Sequence, residues 1–439
     1  MLSSRLLLIG AFLVAGIGGK PGLAYAQAPA PADPELTLAQ CYELATANAP
    51  LRRQQALNDA QAANNQARLT TLRQLPQLAL NGQASYQSEV TKIPLEVPGI
   101  SIPSLSKDQY RLTLDATQTL YDGGTTRRQQ DVEALTANVN NQQVEVSLYR
   151  LREQVDGLFF AVLLTDRNTA LRQTLRADLQ QRRKALLARR TYGTATGQDV
   201  ARLDAEVLNL DQLLRDLASS RAGLLRQLGE LVGQPLLPEA RLTTPAELPA
   251  PVPRPELMLY ARQKELLAGQ QKLNDARLAP RLSVYGQAGY GRPTLDFLRN
   301  DFHGYGLAGV RLNWTLSNYY TRRQDRQTIQ LGTEAVSVQQ AVFEQNQRLM
   351  LAGQQTALER FQALLETDQQ LIPLREKIQA TAAVQLENGI IGFPDYFTEA
   401  NNLTQARLNE QLHRLQLLQA QADAATTGGT APQPSTPTR

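Results

Sequence analysis

The sequence contains two copies of one pattern. Residues 76–86 (PQLALNGQASY) and 280–290 (PRLSVYGQAGY) share Pro, Leu, Gly, Gln, Ala and Tyr at the same positions, 204 residues apart. Residues 193–199 (GTATGQD) and 389–395 (GIIGFPD) both begin with glycine and end with aspartate, 196 residues apart. The first copy is therefore eight residues longer between these landmarks. A duplication of this kind predicts two halves of about 200 residues with the same order of helices and strands.

Each half contains two segments in which apolar or small residues alternate with polar ones. The segments are 77–87 and 110–121 in the first half, and 281–291 and 304–316 in the second. A period of two predicts β-strands with one apolar and one wet face. Each is about as long as a tilted strand that crosses a bilayer, and aromatic residues lie near the ends, as in membrane barrels. A soluble sandwich with one wet face is the alternative.

The two faces of the strands are expected to meet different surroundings. Lipid is expected to contact Leu80, Leu112, Val284 and Leu312. Water in a barrel lumen is expected to contact Arg111, Asp115, Arg311 and Asn313. Four strands do not close a barrel, and open sheet edges cannot face lipid. Strands that span a membrane would therefore have to come from several chains, and two, three or four copies would satisfy closure.

The remainder of the sequence predicts long helices. Apolar residues follow a heptad spacing, broken only at Arg221, in the series Leu203, Val207, Leu210, Leu214, Leu217, Leu224, Leu228, Leu231. This spacing is typical of a coiled coil. Residues 125–190 contain no proline, and a continuous helix of that length would extend about 100 Å. Residues 321–387 are the counterpart, with Pro373 as a possible kink. We expect a mixed α/β membrane protein with a duplicated helix–strand–strand–helix unit, four transmembrane strands and long coiled-coil helices.

The ends and the centre of the chain have distinct compositions. Residues 1–26 have the charge, apolar core and small-residue site of a secretory signal peptide. The expected domains are a first repeat at 27–233, a Pro-rich linker at 234–255, a second repeat at 256–426 and a disordered tail at 427–439. Cys41 is expected on the surface of a helix, with lipidation as the minor alternative. Beyond residue 26, no apolar run approaches the length of a membrane-spanning helix.

Composition argues against several classes of function. The 45 basic and 41 acidic residues nearly balance, which does not favour nucleic acid as a partner. One cysteine cannot form an intrachain disulfide or a cysteine metal site, and two histidines 110 positions apart argue against a multi-histidine zinc site. His303 lies near no nucleophile motif, and aromatic residues are only 5% of the chain. We therefore expect neither an enzyme nor a metal or cofactor.

Three local motifs and the duplicated order resemble the TolC-like outer-membrane efflux proteins. The motifs are residues 36–40 (LTLAQ) leading to Ala45 and Asn48, residues 120–124 (LYDGG) after a strand, and the turns that begin at Gly193 and Gly389. Residues 318–321 (NYYT) depart from the family's second strand exit. The resemblance covers the whole mature chain. It implies a homotrimer with a twelve-stranded barrel in the outer-membrane lipid and a helical tunnel in the periplasm.

The resemblance also implies a function and partners. Such proteins are outer-membrane channel-tunnels for efflux or export of small molecules or proteins. They work with a periplasmic adaptor (membrane fusion) protein and an inner-membrane efflux pump or ABC transporter. The alternative for this chain is a structural periplasmic coiled-coil protein with a soluble β region.

The two hairpin turns carry the remaining candidate site residues. The resemblance implies that three copies of Asp395 ring the pore, while Thr398 replaces the family's second acid. It also implies that the tips meet the adaptor, which concerns Gly193, Thr194, Gly197, Asp199, Gly389, Ile390, Ile391 and Phe393. Asp199 is expected mainly to cap the returning helix. The apolar residues Ile390, Ile391 and Phe393 are expected to be exposed, as a docking surface or as a seal against a neighbouring protomer.

Overall fold

The computed structural model describes residues 35–91, 105–192, 196–296 and 299–429. The signal peptide, Gly193, Thr194 and residues 430–439 lie outside this part of the chain. The helices are α1 (Leu38–Asn48), α2 (Leu51–Gln74), α3 (Thr125–Tyr149), α4 (Leu151–Thr191), α5 (Gly197–Val232), α6 (Pro255–Ala276), α7 (Asn318–Glu387) and α8 (Phe393–Gly428). The strands are β1 (Gln77–Tyr86), β2 (Asp108–Tyr121), β3 (Arg281–Arg292) and β4 (His303–Asn313).

The order of elements repeats as the sequence predicts. One unit is α2, β1, β2 and α3, and the other is α6, β3, β4 and α7. Helices α2, α3, α6 and α7 pack side by side beneath the sheet, while α4–α5 and α7–α8 form two hairpins. Helix α8 also packs along α4, so the two halves are joined away from the sheet. No helix of the described residues is both long and apolar enough to cross a bilayer.

The four strands form one antiparallel sheet in the order β1-β2-β3-β4. Leu80 pairs with Leu114, Leu112 with Tyr290, and Leu282 with Leu312. The alternate apolar residues of all four strands therefore share one face, and no other part of the described residues covers it: Leu80 is 71% exposed and Leu312 is 67% exposed. Within the described ranges, β1 and β4 each have one edge without a partner strand.

The helices bury their apolar residues in two main clusters. The larger cluster joins α1, α4, α5, α8 and the linker, and includes Phe159 and Leu228. The second cluster lies near the hairpin tips, where α4 and α5 meet α7 and α8 around Leu203 and Tyr396. Both clusters are formed by residues of one chain.

Cys41 does not lie on a helix surface, and that expectation is wrong. Its side chain is fully buried in the larger cluster. Leu38, Cys41, Tyr42 and Ala45 form one face of α1, and this face packs against α4 and α5. Burial raises the pKa of the Cys41 thiol to about 12, so the side chain stays neutral.

The long helix expected at 125–190 is divided at Arg150. The backbone of Arg150 remains helical, but its amide reaches the Val146 carbonyl only at 3.4 Å. The packing partners change at this point: α3 lies against α2 and α6, whereas α4 lies against α5 and α8. In contrast, Pro373 lies inside α7 without ending it.

The ends of β4 and α8 differ from those expected. β4 ends at Asn313, because residues 314–317 turn into α7 and the Trp314 indole donates to the Leu278 carbonyl at 3.0 Å. Helix α8 continues to Gly428, because neighbouring side chains bind its last carbonyls. Tyr149 donates to the Thr426 carbonyl at 2.7 Å, and Gln347 donates to the Thr427 carbonyl at 2.7 Å.

Arg221 and the LYDGG motif have structural roles. Arg221 binds Asp166 and donates to the Pro238 and Ala240 carbonyls, so it ties the linker to the α4–α5 hairpin. Asp122 accepts from the amides of Gly124 at 2.9 Å and Thr126 at 2.8 Å, and Gly124 has a φ of 81°. The motif thus turns the chain from β2 into the capped start of α3.

Candidate functional site

The tip of the α4–α5 hairpin contains Asp199 as a helix cap. Its Oδ2 accepts from the Thr196 amide at 3.2 Å and from the Thr196 hydroxyl at 2.6 Å. The Asp199 amide donates back to the Thr196 hydroxyl at 3.2 Å. Gly197 is the first residue of α5. These bonds hold the pKa of the Asp199 carboxyl below its ordinary value and account for the residue locally, as the sequence predicts.

The tip of the α7–α8 hairpin reverses at Gly389, which has a φ of 71°. The amide of Ile390 donates to the Gln385 carbonyl at 2.8 Å and so closes the end of α7. Asp395 occupies the position in α8 that Asp199 occupies in α5, and its Oδ2 accepts from the Gly392 amide at 3.3 Å. The carboxyl of Asp395 is exposed beside a groove that Thr398 and Lys377 also line.

The apolar residues at this tip do not form one exposed group. Ile390 is 70% exposed and Ile391 is half-buried, but Phe393 is 4% exposed. Phe393 belongs to the second cluster and stacks on Phe397, with ring centroids 5.9 Å apart. The expectation that Phe393 is exposed is therefore wrong, because the second hairpin tip packs against the first.

A polar cluster that sequence reasoning missed joins the two hairpins just behind their tips. We call Asp178, Arg182, Gln379 and Tyr396 the tip cluster. The buried Tyr396 hydroxyl donates to Asp178 Oδ2 at 2.7 Å and accepts from Gln379 at 2.9 Å. Arg182 binds the Asp178 carboxylate at 3.0 Å, and its guanidinium lies 3.7 Å from the Tyr396 ring centroid. Burial and the Asp178 bond raise the pKa of Tyr396, so the phenol keeps its proton.

A second contact and a small cavity accompany the tip cluster. Arg189 of α4 donates to the Leu386 carbonyl at 2.8 Å and also to the Glu387 carbonyl at the end of α7. A cavity of about 180 Å³ lies between the hairpins, lined by Asp178, Arg189, Leu203 and Phe393 among others. The two hairpins are thus held together by directed bonds as well as by apolar packing.

One signal in the sequence could have pointed to the tip cluster. Phe393, Tyr396, Ala400 and Leu403 recur at a helical spacing on the buried face of α8. A tyrosine on such a face needs a partner for its hydroxyl. The partner, Asp178, is 218 residues away in the sequence, so the spacing alone could not identify it.

The polar face of the sheet contains the four predicted lumen residues. Strand pairing puts Arg111, Asp115, Arg311 and Asn313 on the face opposite the exposed leucines. Of these, only Asp115 belongs to a network across the strands. Its carboxylate accepts from Asn81 of β1 at 2.6 Å, Gln287 of β3 at 2.5 Å and Thr113 at 3.1 Å.

The hydrogen-bond network extends to β4. On the same face, large side chains lie against neighbouring strands. Tyr305 donates to Gln287 Oε1 at 3.2 Å. The Arg311 guanidinium lies 4.6 Å from the Tyr285 ring centroid. Tyr285 lies directly opposite Gly309, where a Cβ would be 2.8 Å from its hydroxyl oxygen. Because Gly309 has no side chain, the Tyr285 ring can lie against β4.

The described residues do not contain a group of three or more His, Cys, Asp or Glu side chains that could hold a metal ion. His413 contacts Asp368 at 2.6 Å between α8 and α7. His303 contacts Thr294 and the Asp301 carbonyl at the start of β4. The two histidines therefore belong to separate local contacts.

Comparison with solved structures identifies the fold. The chain is similar to the outer-membrane protein VceC from Vibrio cholerae, with 15% identity, a TM-score of 0.60, and coverage of 89% of this chain and 96% of VceC. It is similar to the Campylobacter jejuni CmeC outer-membrane channel, with 13% identity, a TM-score of 0.61, and coverage of 90% and 86%. For the Neisseria gonorrhoeae MtrE outer-membrane channel in its open state, identity is 16%, the TM-score is 0.61 and coverage is 89% of both chains.

The sequence itself has no match of this kind. No protein-family model matches the chain, and no curated protein sequence matches it. The fold is nevertheless clear, since each similar structure is covered over most of its length. The fold is that of a TolC-like outer-membrane factor, which confirms at the level of the fold the resemblance noted in the sequence.

Proposed function

We propose that this protein is an outer-membrane channel-tunnel for efflux or export of small molecules or proteins. The observation that carries the proposal is the sheet, which exposes a continuous apolar face and has a hydrogen-bonded polar face behind it. Lipid would cover the first face and water the second. The 70-residue helix α7 would extend about 105 Å from the membrane into the periplasm.

Assembly follows from the open edges of the sheet. β1 of one copy would pair with β4 of the next, and the family resemblance selects three copies and a barrel of twelve strands. Exposed apolar residues on α7 support contacts between copies below the barrel. Leu331, Val338, Val342 and Leu349 are each at least 50% exposed, at spacings of seven, four and seven residues.

The hairpin tips would form the periplasmic entrance. In this proposal the tip cluster holds the second hairpin against the first, so opening requires the Tyr396–Asp178 bond to separate. Three copies of Asp395 would ring the closed entrance, with Thr398 one turn further along α8. Arg111, Asp115, Arg311 and Asn313 would contact the water in the barrel.

The proposed partners are those that the resemblance to TolC-like proteins implies. A periplasmic adaptor would meet the tips, which include Gly193, Thr194, Gly197, Gly389 and the exposed Ile390. An inner-membrane pump or ABC transporter would supply the cargo. Residues 1–26 would direct export of the chain to the outer membrane. Within this scheme the exposed part of the second tip either docks the adaptor or seals the entrance against a neighbouring copy.

The test of the proposal is expression of the full chain in a Gram-negative host. We expect the protein in the outer-membrane fraction as an SDS-resistant trimer that forms ion-conducting pores in planar bilayers. A soluble monomer without pores would instead support a structural coiled-coil protein. Ile391→Asp separates the two roles of the tip: loss of efflux with an intact closed pore supports docking, whereas increased leak in purified protein supports a seal.

A further inference from the structure

A buried carboxyl group lies where α1, α4 and α8 meet, away from the tip cluster. Asp156 of α4 is fully buried within the larger apolar cluster, beside Val155 and Phe159. Its Oδ1 accepts a hydrogen bond from the Tyr42 hydroxyl of α1. Its Oδ2 has no hydrogen-bond partner among the described residues. An ionised carboxylate with an unpaired oxygen is costly in such surroundings.

The charged groups around Asp156 act in opposite directions: two carboxylates disfavour its ionised form, and one guanidinium favours it. Asp423 of α8 faces it, and Glu153 of α4 adds a second negative charge. The positive charge is Arg152, whose guanidinium lies 4.9 Å from the Tyr42 ring centroid and 5.5 Å from that of Tyr149 in α3. Helix α5 contributes apolar residues to the same cluster: Leu225, Leu228 and Val232.

Burial raises the pKa of Asp156 to about 7, with repulsion from Asp423 in the same direction. Burial and Glu153 also raise the pKa of Asp423. Burial and the Asp156 charge raise the pKa of Tyr42, so the phenol keeps its proton and continues to donate to Oδ1. The Asp156 carboxyl therefore gains or loses a proton near neutral pH, while the Tyr42 phenol stays protonated.

Helix α8 connects the surroundings of Asp156 to the tip of the α7–α8 hairpin. Asp423 lies close to the end of α8, where Tyr149 and Arg254 bind the Thr426 carbonyl at 2.7 and 3.1 Å. Tyr396 of the tip cluster is 27 residues earlier in α8, about 40 Å away along the helix axis. Between these two points α8 packs along α4.

We propose that Asp156 is a proton-dependent group at the junction of α4 and α8: loss of its proton sets a buried negative charge against Asp423 of α8, which loosens the α7–α8 hairpin and favours opening of the channel. The step is simple: a proton from water binds Oδ2 and removes the charge that Asp423 and Glu153 repel. This inference rests on the proposed channel function for its effect on opening. Its effect on stability does not depend on that function.

The direction of the effect follows from proton linkage. An unfolded aspartate loses its proton near pH ~3.9, whereas the folded chain retains the Asp156 proton up to about pH 7. The stabilisation is therefore complete below about pH 4 and is lost as the pH rises to about 7. One proton per chain corresponds to an increase of about tenfold in the unfolding constant for each pH unit within this window.

The first experiment measures stability of the detergent-solubilised full chain from about pH 5 to about pH 8. His413, which contacts Asp368 between α7 and α8, is also of a type that changes charge in this range. All variants therefore carry His413→Gln. In this background we expect stability to fall with rising pH, and Asp156→Asn to remove most of the fall. Asp423→Asn should move the transition to lower pH, because it removes a repelling charge.

The matched control is Asp166→Asn, in the same helix. Asp166 is ion-paired with Arg221, so the control should reduce stability at every pH and leave the pH dependence in place. An equal pH dependence with and without Asp156→Asn overturns the proposal, as does an Asp423→Asn transition at unchanged pH.

The second experiment measures pore opening in planar bilayers over the same pH range. We expect the background protein to conduct more at about pH 8 than at about pH 5 and Asp156→Asn to stay near the low level. If stability responds to Asp156→Asn but conductance is independent of pH, the regulatory inference is wrong. If the unsubstituted protein forms no pores at all, the proposed channel function fails, and the stability experiment still decides the role of Asp156.

Discussion

Leucine has opposite surroundings in the sheet and in the helical bundle of this protein. In the strands, Leu80 is 71% exposed and Leu112 is 50% exposed on a face that no other described segment covers. In the helices, Leu203 and Leu228 are fully buried within clusters formed by the same chain. These two helical clusters therefore supply their own apolar environment, whereas the apolar face of the sheet would need one from outside.

The polar residues show the same contrast. On the sheet, Asp115 is bonded to neighbouring strands on the exposed polar face. In the bundle, Tyr396 and Asp178 meet inside the contact between hairpins, where apolar residues surround them. In the sheet the apolar residues are exposed. In the bundle they are buried, and a few hydrogen bonds between polar side chains lie among them.

The largest expected effect is in the helical core. Leu203→Ala should lower the free energy of unfolding by about 2–5 kcal/mol per chain, because it removes fully buried atoms and leaves a cavity. Chemical denaturation followed by helical circular dichroism measures the loss. Leu208, in the same helix, is 68% exposed, so Leu208→Ala should change stability by less than about 0.5 kcal/mol. Similar losses in both variants would contradict this assignment of the core.

The next effect tests the exposed face of the sheet. Leu112→Arg should impair trimer assembly, at a cost of about 2–4 kcal/mol per copy if the side chain lies near the middle of the bilayer. The yield of SDS-resistant trimer in the membrane fraction measures it. Asp115→Asn, in the same strand on the opposite face, should preserve assembly and alter only conductance. Equal effects at the two positions would contradict the assignment of one lipid face and one water face, and would favour a soluble sheet.

A smaller effect is expected at the tip cluster. Tyr396→Phe removes the hydroxyl that joins Asp178 and Gln379, with a cost of about 1–3 kcal/mol for the groups left without a partner. We expect greater ion leak in planar bilayers, while the trimer is retained. Tyr192→Phe is the control, because Tyr192 is at the other tip and 84% exposed. Unchanged leak in Tyr396→Phe would show that apolar packing alone holds the hairpins together.

The smallest effect is expected at Asp395. Asn can also cap a helix, so Asp395→Asn should leave stability nearly unchanged. In a symmetric entrance it would remove one carboxylate from each copy, and block by divalent cations in planar-bilayer recordings should weaken. Asp199→Asn makes the same change at the equivalent position of the first tip. If the two variants respond alike, Asp395 has no special place in the pore.

The sequence was sufficient for features that one stretch of chain determines. Periods of two and of seven predicted the strands and the hairpins, because each pattern reports the face that an element buries or exposes. Asp199 could be predicted as a cap because its partner, Thr196, is three residues away. The resemblance to TolC-like proteins rested on the duplicated order, which the fold shares.

Features that depend on distant parts of the chain could not be predicted in this way. Cys41 is buried only because α1 packs against α4 and α5. Phe393 is buried only because the two tips meet, and Tyr396 finds Asp178 across 218 residues. Likewise, Asp156 lies where α1, α4 and α8 meet, and no local sequence pattern predicts this position.

The open edges of the sheet also constrain how the protein can mature. The helical clusters are formed within one chain, so a monomer could form them before assembly. The sheet differs, because among the described residues β1 and β4 each have one unpaired edge and nothing covers the apolar face. In the proposed channel, barrel closure, subunit association and membrane insertion would therefore occur together. Until that step, the strands of each monomer would be the part of the molecule that a periplasmic chaperone has to shield.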